Sequence, residues 1–159
     1  MRGTIAAFAV IVCLLASAPP ATAQQKAGDL PDRELLTKVL EGWSSLDPAN
    51  PAKFYDKSSP FPFYDVAPLK FDSFAAYMEG FKEMAATLTS LKFTLNPDLV
   101  TKPAGAGWAV SVATVKAQMV HKNAEPMEME CRWTAVWQQK PGAGWTIVHD
   151  HFSAPYPMQ

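Results

Sequence analysis

Cysteine is scarce in this chain, and its scarcity excludes a fold held together by disulfides. The 159 residues contain two cysteines, and one of them, Cys13, lies in an apolar N-terminal run. Beyond that run Cys131 has no partner for an internal disulfide. Stability must therefore come from packing, for which 5 Trp, 9 Phe and 4 Tyr are available. We expect Cys131 to be a buried strand residue, with an intermolecular disulfide and a reactive thiol as the alternatives.

An excess of positive charge is also missing, as are the signatures of the common enzyme classes. Lys and Arg number 14 against 15 Asp and Glu, and the basic residues form no run. This excludes the electrostatic surface that a nucleic-acid-binding protein needs. The sequence has no glycine-rich phosphate loop, nucleophile elbow or Cys-x-x-Cys pair. We therefore expect a small-molecule partner, no nucleic acid and no cofactor.

No hydrophobic run is long enough to span a bilayer comfortably. The longest run, residues 5–16, follows a positive start at Arg2 and precedes the small residues Ala21-Thr22-Ala23. This order is typical of a secretory signal peptide at residues 1–23, with an uncleaved N-terminal anchor as the alternative. We expect a polar, disordered leader at residues 24–29 and one domain at residues 30–159. That domain would act in the periplasm or outside the cell, without membrane contact after cleavage.

The spacing of apolar residues predicts three helices followed by a sheet. Helices are expected from Leu30 to Trp43, from Pro51 through Tyr55, and from Asp72 or Ser73 to about Thr89. An aromatic strand at residues 61–66 is interrupted by prolines, so it is expected to be irregular. Longer strands are predicted at residues 91–99, 108–121, 127–139 and 145–154. This order predicts an α+β domain in which a curved antiparallel sheet packs on three helices and forms a cone with a pocket.

Two of the 3 histidines lie on the last predicted strand. Side chains alternate between the two faces of a strand. One face therefore carries Ile147, His149, His151 and Ser153, and the opposite face carries Val148, Asp150 and Phe152. If the first face is concave, both imidazoles reach the pocket and can exchange protons near neutral pH. The alternative is one core histidine and one at the rim. A metal site needs three converging ligands, and no third ligand has a fixed spacing from this pair, so we predict none.

Three further groups of residues are candidates for the pocket. Arg132 lies in mid-strand, where a buried guanidinium must pair with Glu130 or another carboxylate, or bind an anionic ligand. Asp65 lies among aromatic residues, a setting that can raise the pKa of a carboxyl and make it an acid or base, unless it only caps a turn. Aromatic residues expected to line the pocket or the core are Trp43, Phe54, Tyr55, Phe63 and Tyr77.

Three stretches of the sequence resemble a known family. They are residues 63–70 (FYDVAPLK), 132–137 (RWTAVW) and 144–155 (GWTIVHDHFSAP). On these stretches the chain resembles the SnoaL-like branch of the nuclear transport factor 2-like superfamily, which includes ketosteroid isomerase-like proteins and the association domain of calmodulin-dependent kinase. The last stretch is similar to the end of that association domain. The resemblance implies a cone-shaped α+β barrel, usually a homodimer, with a ligand cavity, and it does not by itself imply catalysis.

Two hypotheses of different classes follow from these observations. The first is an exported, non-catalytic, homodimeric domain that binds a small, partly apolar molecule. Its candidate ligand-binding residues are Tyr55, Phe63, Asp65, Tyr77, Arg132, His149 and His151. The second is a small acid–base enzyme, an isomerase, cyclase or hydratase, with Asp65 and His151 as catalytic residues and Tyr55 as a hydrogen-bond donor. An isomerase set of one Tyr and two Asp cannot be aligned residue by residue, so we favour binding.

Overall fold

The fold is described from a computed structural model, which covers residues 30–155. The predicted signal peptide, the leader and residues 156–159 lie outside the described residues. Helix α1 (Arg33–Ser44) begins at the cap residue Asp32, whose carboxylate accepts a hydrogen bond from the Leu35 amide at 2.9 Å. Its apolar stripe, including Leu36 and Trp43, is buried against the sheet. The predicted first helix is confirmed, with its start moved to Arg33.

The other two helices follow the sequence pattern at their starts more closely than at their ends. A single 3-10 turn (Pro51–Phe54) stands where a short helix was predicted. Helix α2 (Phe74–Ala85) is capped by the Ser73 hydroxyl, which accepts from the Ala76 amide at 3.2 Å. The predicted end near Thr89 is wrong. The helix stops at Ala85 because residues from Leu88 onward pair with another strand.

The sheet has five strands in the described residues, one more than the long strands predicted. They are β1 (Leu88–Leu95), β2 (Val100–Gly105), β3 (Trp108–His121), β4 (Met127–Lys140) and β5 (Gly144–Ser153). All pairs are antiparallel. The order is β1-β3-β4-β5, and β2 pairs with the first half of β3 while β1 pairs with the second half.

The division between β1 and β2 corrects the prediction of one strand at residues 91–99 followed by a turn. The Asp98 carboxylate accepts hydrogen bonds from the Thr114 amide at 3.0 Å and from the Thr114 hydroxyl at 2.9 Å. The Asp98 side chain thus takes the hydrogen-bonding position on β3 that lies between the partners of β1 and those of β2. The backbone leaves the sheet at residues 96–99 and returns as β2.

The segment at residues 55–64 covers the free edge of β5. The Asp56 amide donates a hydrogen bond to Ile147 O at 2.9 Å. Further along, the Tyr64 amide donates to Asp150 O, and Tyr64 O accepts from the Phe152 amide, both at 3.1 Å. The aromatic strand predicted at residues 61–66 is reduced to isolated bridges, as its prolines predicted. The curved sheet and the helices packed on it form the predicted α+β cone.

Candidate functional site

An apolar cavity of about 220 Å³ lies between the inner face of the sheet and the helices. Residues from α1, α2, β1, β3, β4, β5 and the loop before α2 contribute to its wall. The aromatic part consists of Trp43, Tyr77, Phe81, Phe93 and Phe152, and the thioether part of Met84, Met119, Met127 and Met129. Leu91, Ala117, Cys131 and the loop residues Asp65, Val66 and Ala67 complete the lining. The wall therefore offers almost only apolar contacts.

Sheet register explains why the thioethers collect at one side of the cavity. Met119 on β3 lies directly opposite Met127 on β4, and Met129 follows two positions later on the same face. Met84 approaches from α2. Met127 is 42% exposed, which places this part of the wall next to solvent. Unbranched thioether side chains can adjust to ligands of different shape.

Asp65 supplies the carboxylate of the cavity, as its aromatic neighbours in the sequence suggested. Its Oδ1 accepts a hydrogen bond from the Val66 amide at 2.6 Å. Burial raises the pKa of Asp65 to about 6, and this hydrogen bond opposes the rise. No positively charged side chain among the described residues lines the cavity. At neutral pH the cavity thus holds one negative charge without a counterion in its wall.

A buried chain of hydrogen bonds lies behind the cavity wall. The Trp43 indole donates to the Tyr55 hydroxyl at 3.1 Å, and that hydroxyl donates to Asp150 Oδ2 at 2.5 Å. Tyr77, which lines the cavity, stacks on Phe63 with ring centroids 5.0 Å apart. Burial, followed by the proximity of Asp150, raises the pKa of both tyrosines well above its usual value. The tyrosines are therefore neutral hydrogen-bond donors.

Asp150 is the principal residue that the sequence analysis did not select. It is fully buried on β5, and burial raises the pKa of its carboxyl to about 7, with a smaller contribution from the charge of Asp65. The hydrogen bond from Tyr55 opposes this rise. Asp150 Oδ1 and the Trp133 indole nitrogen are both buried without a hydrogen bond of ordinary geometry. The indole nevertheless lies close enough to Asp150 to favour the ionised carboxylate and so to lower its pKa. A sequence signal existed, because alternation had placed Asp150 on the face of Phe152.

The histidines point away from the cavity. The prediction that both imidazoles reach the pocket is therefore wrong. His149 is half-buried, its Nδ1 is 2.6 Å from Pro62 O, and its ring packs against Tyr64. His151 is exposed and makes an edge contact with Tyr64. Neither residue lines the cavity.

A bulge in β5 is the physical reason for this orientation. Trp137 pairs with Ile147 and Val136 pairs with His149, which leaves Val148 as an extra residue. Ile147 therefore faces the core, and the alternation restarts so that Asp150 also faces inward. Without the bulge, an inward Ile147 would have brought both histidines inward as well.

Arg132 is exposed on the outer face of β4, so the premise that it is a buried strand residue is wrong. The side chain of Glu130 accepts a hydrogen bond from Asn96 at 2.9 Å. Tyr55 and Phe63 are buried in the core behind the cavity, whereas Asp65 and Tyr77 line it. The structure thus brings Asp65 and Tyr77 together and leaves Arg132, His149 and His151 outside.

Cys131 is buried and lines the cavity, which confirms the prediction of a buried strand residue. Burial raises the pKa of its thiol. Among residues 30–155, no three side chains of His, Cys, Asp or Glu converge as metal ligands would. Within the same residues, no helix combines the length and the apolar character needed to cross a membrane.

These features define the class of protein: an α+β cone with an apolar cavity between its sheet and its helices. The sequence pattern of the SnoaL-like domain matches residues 58–157, which is more than half of the chain. The chain therefore belongs to the SnoaL-like domain family, as the resemblance in its sequence indicated. No curated protein matches the sequence.

Solved structures share the fold at low sequence identity. A nuclear transport factor 2-like superfamily protein from Salmonella enterica superimposes with a TM-score of 0.70 at 20% identity, over 78% of this chain and 88% of that one. A candidate dehydratase of the same superfamily from Streptomyces avermitilis gives 0.66 at 11% identity, over 77% and 92%. An uncharacterised protein with a cystatin-like fold from Caulobacter vibrioides gives 0.63 at 16% identity, over 78% and 87%. These similarities establish the nuclear transport factor 2-like fold.

Proposed function

We propose that this protein is a binding domain for a small, largely apolar molecule, which it holds in the cone cavity without transforming it. The observation that carries the proposal is the cavity itself, lined by aromatic and thioether side chains around one carboxylate. A mostly apolar wall with a small number of placed polar groups is the usual composition of a ligand site. The polar end of the ligand would contact Asp65, and Tyr77 would lie against its apolar body.

The volume of the cavity limits the size of the ligand. A dry cavity of about 150 Å³ is large enough to bind benzene. The cavity here, of about 220 Å³, is suited to a molecule of one or two rings. The thioether side of the wall can adapt to additional substituents because methionine has three rotatable bonds.

Native mass spectrometry of the protein purified from its own host tests this proposal. We expect a co-purified small molecule, released when the protein is denatured. The matched variant is Met129→Trp, which fills the cavity from a half-buried wall position and should return the protein without the ligand. Met78→Trp is the control, since Met78 is equally half-buried on α2 but does not line the cavity. A ligand retained by Met129→Trp would place its binding elsewhere.

The setting of Asp65 favours acid–base catalysis as a second candidate. A carboxyl whose pKa is about 6 is partly protonated near neutral pH and can accept or donate a proton. His151 is exposed on the outer face, so the acid–base pair of Asp65 with His151 loses its geometric basis. Tyr77 would take the place of the histidine as a hydrogen-bond donor. Incubation of the co-purified molecule with the protein in deuterated water separates the candidates: exchange or conversion that Asp65→Asn abolishes would establish catalysis.

Export and self-association are parts of the same proposal. The positive start, apolar run and small residues at 21–23 support export to the periplasm or the medium, which N-terminal sequencing of the secreted protein would test. A homodimer would bury the outer face of the sheet, where Val112 is 44% exposed and Val110 pairs with Val136. Light scattering on the wild type should give a dimer, and Val112→Glu should weaken it.

A further inference from the structure

Because the part of its wall that the structure describes carries one carboxylate and no Lys, Arg or His, we infer that the cavity selects cationic amphiphiles, small molecules with an ammonium group on an apolar body, over neutral and anionic analogues of the same shape. The inference rests on the binding function proposed above and adds the sign of the ligand's charge. Its basis is the distribution of charge around Asp65.

The first observation is the isolation of the Asp65 carboxylate. Among the described residues, the cavity wall has no Lys, Arg or His. The nearby acidic side chain, Asp150, is itself buried. The hydrogen bond that Asp65 accepts comes from a neutral backbone amide. An ammonium group entering the cavity would therefore meet a carboxylate that has no competing protein cation.

The second observation is the aromatic character of the wall beside this carboxylate. Trp43, Tyr77 and Phe81 form one packed group, with the Trp43 centroid 5.1 Å from that of Tyr77 and 4.6 Å from that of Phe81. Aromatic faces attract ammonium groups, and the attraction strengthens when water is excluded. An aromatic ring gives an anion no such attraction at its face. A carboxylate ligand would also be placed near Asp65 and would be repelled by it.

The groups that surround Asp65 determine how binding should depend on pH. Asp150 on β5 and Cys131 on β4 interact with its charge, as do Tyr55 after the 3-10 turn and Tyr77 on α2. The tyrosines and the thiol have raised pKa values and stay neutral at pH 5 to 8, so Asp65 and Asp150 are the members of this group that titrate there. His149 and His151 contact Tyr64, next to Asp65 in the chain, but lie outside the cavity. Affinity for a cation should therefore rise with pH through about 6, where Asp65 ionises.

The experiment compares three probes that share one bicyclic body: naphthylmethylamine as the cation, naphthylmethanol as the neutral analogue and naphthoate as the anion. Calorimetric titration of the mature protein at pH 7.5 should give an affinity for the amine at least about tenfold above that for the alcohol, and no detectable binding of naphthoate. The preference for the amine should decline at pH 5. Equal affinity for amine and alcohol, or tighter binding of naphthoate, would overturn the inference.

Two variants separate this inference from the proposed function. Asp65→Asn should abolish the preference for the amine over the alcohol, and an unchanged tryptophan emission spectrum of the variant would show that the fold is intact. Glu41→Gln removes an exposed carboxylate of α1 and should change neither affinity. If the wild type binds all three probes alike, the selectivity is refuted and the binding function stands. If it binds none of them while the co-purified ligand is also absent, the proposed function fails first.

Discussion

Replacing Asp150 by asparagine should flatten the dependence of stability on pH. The carboxyl group has a pKa of about 7 in the folded protein, against 3.8 for an unperturbed aspartate. Between these values the folded state binds more protons than the unfolded state, so the free energy of unfolding falls as pH rises. The pKa is raised because the fully buried site disfavours the charged form. Asparagine is uncharged throughout and has nearly the shape of the protonated acid.

The size of the effect follows from the two pKa values. The full penalty above pH 7 is roughly 4 kcal/mol, at about 1.4 kcal/mol for each pKa unit. Between pH 5 and pH 8, where urea titrations are practical, roughly 3 kcal/mol of it develops. Asp65 contributes in the same direction below its own pKa of about 6. The informative quantity is therefore the difference between Asp150→Asn and the wild type.

Urea unfolding followed by tryptophan fluorescence at several pH values measures this difference. Asp150→Asn should gain roughly 3 kcal/mol on the wild type between pH 5 and pH 8. The control is Asp72→Asn, which removes a carboxylate that is 83% exposed and should leave the slope unchanged. A difference between Asp150→Asn and the wild type that stays constant with pH would refute the reasoning, since it would show that Asp150 is already ionised inside the fold.

Other perturbations test the same core. Tyr55→Phe removes the hydroxyl between the Trp43 indole and Asp150. It should lower the free energy of unfolding by about 2–4 kcal/mol, because two buried polar groups lose a partner. Urea unfolding at pH 7 measures this change, and a loss below about 0.5 kcal/mol would contradict the prediction. Cys131 is 3% exposed with a raised pKa, so a thiol reagent should modify it only in urea; rapid labelling of the native protein would contradict the burial. Met129→Trp should raise the melting temperature while it blocks ligand binding, because it fills an apolar cavity. Thermal unfolding without ligand measures the melting temperature, and a lower value than that of the wild type would show that the wall is overpacked.

Much of the fold could be predicted from the sequence because its signals are local. Ser73, one of the two residues expected to begin α2, is a short polar side chain before an apolar stripe and caps that helix. The long strands β3, β4 and β5 were predicted nearly at their observed bounds, since turn residues enclose each of them. The predicted boundary between helix α2 and strand β1 was wrong, because the helical spacing of apolar residues continues into residues that pair with β3. That pairing is long-range and leaves no mark on the local pattern.

The candidate site was predictable only in part, for the same reason. Asp65 and Tyr77 were selected from their aromatic and helical context, and both line the cavity. The orientation of the β5 residues was not predictable. A bulge of one residue at Val148 removes Ile147 from the face of His149 and His151, so the inward direction of Ile147 does not extend to the histidines, and strand alternation carries no information on where a bulge falls. His149 therefore faces outward and Asp150 inward.

The sequence by itself indicated the family, through the three stretches that resemble it. It also determined the α+β order of elements and the supply of aromatic and thioether side chains that line the cavity. These depend on composition and on periodicities that any short window contains. Only the tertiary structure decided which carboxylates are buried, that Asp65 faces a cavity with no Lys, Arg or His in its described wall, and that Arg132 and His151 lie on the outer face. Burial and pairing arise between residues far apart in the chain, and the pKa of a group depends on them.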